Sequence, residues 1–160
     1  MNINEEARRE LLQAVSGLSD EELNRKPENG GWSIKQILEH LSLMEGTVAK
    51  TIKLQAKNGE TVKTEERPIE ASVNRDVKVD APEFVIPSED FATKNELEQR
   101  LAASRSILQR AVESTDERSL ETKAFPHPVF GMMKLKQWIP FVGFHEKRHI
   151  EQIREVIKGM

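Results

Sequence analysis

Ile34, Ile37, Leu38, Leu41, Met44, Val48 and Ile52 recur at steps of three and four residues. That spacing lays them along one side of a helix. A stripe this broad and this long is stable in water only when other helices cover it. Ser33 with Gln36 three residues on forms a capping-box pair at the start, and Asn58-Gly59 supplies a stop. The spacing therefore predicts a helix from 34 to about 57. Three further segments carry the same period. Ala7, Leu11, Ala14 and Val15 place a helix over about 4–15, and Thr93 with Glu96 caps one bearing Leu97, Leu101, Leu108 and Val112, ending near Ser114. Trp138, Phe141, Val142, Ile153 and Val156 mark the last, from about Leu135 to Lys158. Ser19-Asp20-Glu21-Glu22 opens a short extra turn of helix. Four long amphipathic helices with little strand signal define an all-α fold, a four-helix bundle in one domain over residues 1–160.

Two connectors are long. Residues 60–90 contain Pro68, Pro82 and Pro87, with a short alternation at Val77-Lys78-Val79 as the one candidate strand. Residues 115–133 contain Phe125-Pro126-His127-Pro128 and Gly131. Both read as ordered loops, long enough for crossover connections between the second and third and the third and fourth helices. Pro140 falls inside the last helix. A proline there costs about 3 kcal/mol, so a kink or a later effective start is expected.

The charge balance of 24 basic against 27 acidic residues, net −3, leaves no basic stripe and argues against a nucleic-acid partner. No apolar run approaches the ~18 residues of a membrane span. The opening MNINEEARRE lacks the apolar core of a signal peptide. With no cysteine, disulfides, thiolate metal ligands and cysteine nucleophiles are all excluded. A cytoplasmic location is the expectation, and thiol chemistry would need a thiol from outside the chain.

The chain has four histidines. His40 stands three residues after Ile37 and four before Met44, on the apolar stripe of its helix. His145 and His149 are one turn apart, roughly 40° around the helix from each other, on the face of Trp138, Phe141 and Val142. Two imidazoles on one helix and a third from a facing helix can hold one metal and leave a position open, the layout of a catalytic site. Three hydrogen-bonded core histidines fit the same spacing, and the residues alone leave both readings standing. Neutral imidazole suits zinc, nickel, copper or iron. The zincin pattern is absent, because the acid in His145-Glu146-Lys147-Arg148-His149 is misplaced. Glu39, Glu45, Glu146 and Glu151 read as solvated helix faces.

The stretches Gly31-Trp32-Ser33-Ile34-Lys35-Gln36-Ile37-Leu38-Glu39-His40-Leu41 and His145-Glu146-Lys147-Arg148-His149-Ile150-Glu151-Gln152-Ile153 resemble the DinB-like superfamily, in its hydrolase and thiol-transferase branch. His127-Pro128-Val129-Phe130-Gly131 ahead of Trp138 fits the same pattern, as does Asp80-Ala81-Pro82 leading into Leu97 and Ser104-Arg105. The resemblance covers nearly the whole chain. It implies a DinB-like four-helix bundle with one divalent transition metal, zinc or nickel, on His40, His145 and His149. Lys134 stands where the family pattern usually has Ser or Thr capping the last helix, which puts that helix's start in question.

The expected function is that of a metal-dependent enzyme acting on a small molecule. The leading reading is transfer of a low-molecular-weight thiol to an electrophile, in detoxification or stress response; the alternative is a hydrolase using metal-activated water. A non-catalytic metal-binding helical module is the third. His127, between two prolines, is the candidate general base or substrate contact. Gln36, one turn before His40, and Gln152, three after His149, are candidates to hold a ligating ring by its second nitrogen. Trp32 and Trp138 read as packing anchors, and Met132 and Met133 as gap fillers. Phe84-Val85-Ile86 is an apolar run that needs covering, and with the resemblance it points to a homodimer.

Overall fold

A computed structural model describes residues 2–76 and 85–160. The elements are α1 (Ile3–Val15), α2 (Asp20–Asn24), α3 (Ile34–Asn58), a 3-10 helix (Ile69–Val73), α4 (Lys94–Glu113), α5 (Glu117–Thr122), strands β1 (Ala124–His127) and β2 (Gly131–Lys134), and α6 (Leu135–Lys158). The four long helices α1, α3, α4 and α6 form the bundle. α1 lies against α6, α3 against α4, and α6 closes on α3.

The caps act where the sequence places them. Ser33 Oγ accepts from the Gln36 amide and the Ser33 amide donates back to Gln36 Oε1 at 3.0 Å. Ser19 and Glu22 make the same reciprocal pair on α2. Thr93 caps α4 and Asn2 caps α1, each through its side-chain oxygen. These bonds satisfy amide donors that a helix start leaves orphaned.

The second connector is not all loop. β1 and β2 pair antiparallel, Ala124 opposite Lys134 and His127 opposite Gly131, and Gly131 takes a positive φ of 73° at the turn. The first connector contributes the 3-10 helix and a bridge from Thr61 to Lys123. The expected strand at Val77-Lys78-Val79, the Asp80-Ala81-Pro82 motif and Phe84 lie outside the described residues. Val85 is buried, and Ile86 is exposed.

α6 is continuous from Leu135, so the later start expected at Pro140 is corrected. Pro140 is the sixth helical residue, and the bond it deletes is the one to the carbonyl of Lys136, an exposed residue that water can serve. Lys134 makes no side-chain cap; instead the Leu135 amide donates to the Lys123 carbonyl at 2.9 Å, tying the helix start to the end of α5.

The core has two apolar clusters. Leu11, Leu23, Ile37, Leu38, Leu97, Leu101, Ile150 and Ile153 fill one end. Val48, Ile52, Leu108, Leu120, Met133, Trp138 and Phe141 fill the other. Between them runs a polar waist. On α3 it is His40 and Glu45, on α4 Ser104 and Arg105, on α6 His145, Glu146 and His149. Glu45 and Glu146 are buried, which corrects their reading as solvated faces. Each pairs with both Arg8 and Arg105. Glu39 is likewise drawn in, paired with the buried Lys35 and accepting from the Ser88 amide at 3.2 Å. Glu151 is exposed.

Candidate metal centre

The three histidines of the waist converge. His40 Nε2 lies 3.3 Å from His145 Nε2, and His149 Nε2 lies 3.1 Å from the same atom. All three ligand nitrogens fall within 4.8 Å of one another. Two of the rings are oriented by their other nitrogen. His40 Nδ1–H donates to the Val85 carbonyl at 2.8 Å, and His149 Nδ1–H donates to Gln152 Oε1 at 2.7 Å. Both acceptors are oxygens without a proton, so both Nδ1 atoms carry hydrogen and both Nε2 atoms present lone pairs.

Burial lowers the pKa of all three, His145 well below its ordinary value and His149 to about 3. The imidazoles are therefore neutral at pH 7, with His145 Nε2 set between two lone pairs. It can donate to at most one of them. A tetrahedral metal with bonds of about 2.0–2.1 Å spaces its ligand nitrogens about 3.3 Å apart. The 3.3 and 3.1 Å separations to His145 match that spacing, and the donor set fits a divalent cation in number and protonation; His40 and His149, up to 4.8 Å apart, would draw together on it.

Gln152 is hydrogen-bonded to the His149 ring. Gln36 does not reach His40: its Oε1 accepts from the Ser33 amide and from Lys26 Nζ at 2.9 Å, and its Nε2 donates to the Ser88 carbonyl at 3.3 Å. The bond to His40 comes instead from a backbone carbonyl, which no side-chain pattern could have disclosed.

A cavity of about 590 Å³ opens over the three rings. Its walls include Trp32, Met44, Val48, Phe125, Phe130, Trp138 and Phe141. Trp32 packs on the His40 ring at 5.0 Å between centroids, so the tryptophans wall the cavity as well as anchor the core. Met132 and Met133 lie outside the lining, Met133 fully buried.

His127 stands on the wall at the end of β1, within 5.5 Å of Trp138 and 4.9 Å of Phe141, centroid to centroid. Its Nδ1 accepts from the backbone amides of Val129 at 3.0 Å and Phe130 at 3.2 Å. Burial lowers its pKa to about 4. A neutral ring with an occupied Nδ1 carries its proton on Nε2 and is a hydrogen-bond donor.

A four-helix bundle with three inward imidazoles at its waist, open to a cavity on one side, is a scaffold of the metal-binding helical type. The chain belongs to the DinB superfamily, whose family model matches residues 3–153. It is 38% identical over 156 residues to the uncharacterized protein YuaE of Bacillus subtilis (strain 168), covering 98% of this chain and 96% of that one. Two solved structures share the fold. TT2238, described as a four-helix bundle protein, superposes with a TM-score of 0.64 at 18% identity, over 95% of this chain and 92% of that one. YfiT from Bacillus subtilis, described as a probable metal-dependent hydrolase with an unusual four-helix bundle topology, gives 0.63 at 20% identity, over 98% and 82%.

Proposed function

We propose that this protein is a metal-dependent enzyme that transfers a low-molecular-weight thiol to an electrophilic small molecule. The observation that carries the reading is the convergence of three neutral imidazoles beneath a cavity large enough for a substrate. His40, His145 and His149 would hold one divalent cation, zinc or nickel by ligand type. When bound, that ion supplies the Lewis acidity that deprotonates a thiol or a water at neutral pH.

The chain's own residues do the rest. Val85 and Gln152 fix the tautomers of two ligands. The aromatic walls offer an apolar surface to a substrate, and His127 offers Nε2–H to an oxygen that gains charge during the reaction, rather than serving as general base. Among the described residues the cavity lining contains no Asp or Glu. A thiol made anionic by a cation needs no such base, whereas water attack gains from one. The lining therefore favours thiol transfer.

Hydrolysis is the second reading, favoured by the description of YfiT. Zinc- or nickel-loaded protein, assayed against a panel of electrophiles with and without added thiols, separates the two. Thiol transfer gives a product whose mass includes the thiol. Turnover of an ester or amide without thiol, with solvent oxygen entering the product, would replace it with hydrolysis.

A further inference from the structure

The cavity lining is chemically lopsided. Its floor is three neutral imidazoles and its walls are aromatic and aliphatic, yet the only charged side chains among the described lining residues are two arginines, Arg75 and Arg148. Arg75 follows the 3-10 helix. Arg148 reaches from α6 and donates to the carbonyls of Ser72 at 3.3 Å and Asn74 at 2.5 Å, which pins the segment carrying Arg75 to the helix that carries His145 and His149. The Arg75 side chain is about three-quarters buried. Its Nε and Nη2 donate to the two Glu155 carboxylate oxygens at 3.4 and 3.3 Å, but the Glu155 side chain is 61% exposed and lies outside the cavity lining. Contacts this long to a solvent-exposed carboxylate are weak, so an anion held in the cavity can displace Glu155.

We propose that the substrate of this site is an amphipathic carboxylate: a flat apolar body seated among Trp138, Phe141 and Phe130, with its carboxylate on the Arg75 guanidinium at the rim. This rests on the reading of the cavity as a substrate site and adds the class of molecule it takes. The fork of a guanidinium matches a carboxylate with two parallel N–H donors, a geometry an ammonium lacks. Low-dielectric walls strengthen that attraction, and the described lining residues include no acidic group.

The test uses the chain's two tryptophans, Trp32 and Trp138, both of which line the cavity, as fluorescent reporters. 4-Phenylbutyrate, 4-phenylbutyramide and butyrate are titrated into chelator-treated and zinc-loaded protein at pH 7.5, with calorimetry as a second readout. The carboxylate should bind about tenfold or more tighter than the amide in both forms, with butyrate weakest. Arg75→Gln should bring the carboxylate down to the amide and leave the amide unchanged, and Arg75→Lys should retain part of the preference. Equal binding of acid and amide, no binding of either, or equal loss of both in Arg75→Gln would overturn the proposal. A preference seen only with zinc and surviving Arg75→Gln would place the carboxylate on the metal and overturn it too, with the metal centre intact. Failure to take up zinc would sink the enzyme reading while the chelator-treated titration still decides Arg75.

Discussion

Gly143 shows how much one absent side chain positions. A Cβ there would stand 2.6 Å from Asn4 Oδ1 and 2.9 Å from the Ile3 carbonyl oxygen. The glycine lets the start of α1 lie directly on α6, where Asn4 Nδ2 donates to the Ile139 carbonyl at 2.9 Å. Gly143→Ala drives a methyl group into the start of α1 and should destabilise the fold by about 1–3 kcal/mol in urea unfolding. Gln152→Leu should weaken metal affinity about 10–100-fold in a competition titration, because the His149 ring loses its orienting acceptor. His127 sets a pH dependence. In the unfolded chain its imidazole protonates near 6.5, whereas in the fold it stays neutral down to about 4. Protons therefore favour the unfolded state across that window, and stability present above pH 6.5 is lost as pH falls toward 4. His127→Phe should flatten that part of the stability–pH curve, read by thermal melts at each pH.

The elements are joined at the waist by charge as well as by packing. Glu45 of α3 accepts from Arg8 of α1 at 2.9 Å, from Arg105 of α4 and from Ser104 Oγ at 2.7 Å, while Glu146 of α6 meets the same two arginines. Removing one carboxylate strands buried guanidinium charge, so Glu45→Ala should lose about 3–5 kcal/mol, measured as a shift of the urea midpoint at constant slope. The long helices and their caps were readable from the sequence because Ser33, Ser19 and Thr93 act on amides three residues away. His40, His145 and His149 were readable as an inward-facing set because helical period fixes a face. The ionic waist was not: Glu45 shares the apolar stripe, but Arg8 lies 37 residues away and Arg105 60, and only tertiary structure pairs them. The β1–β2 hairpin escaped because four-residue strands containing Pro126 offer too little alternation to stand out from a loop. The Val85 carbonyl on His40 escaped because backbone acceptors leave no mark in composition.

At the scale of the whole molecule, two apolar clusters sandwich the waist, and the cavity opens beside it. A core of this extent holds the helices without help from an ion, so chelation should lower the melting temperature and leave helical circular dichroism in place. Binding to the native state alone stabilises by about 2.7 kcal/mol at a hundredfold excess over Kd. No helix among the described residues is long and apolar enough to cross a membrane. The central claim, that the waist holds one divalent cation on three imidazoles, is tested most directly by metal stoichiometry. Protein reconstituted with zinc, desalted and measured by elemental analysis should carry one ion per chain, and His40→Ala, His145→Ala and His149→Ala should each carry far less while remaining helical. Full stoichiometry in any one of the three variants, or none in the parent, would contradict it.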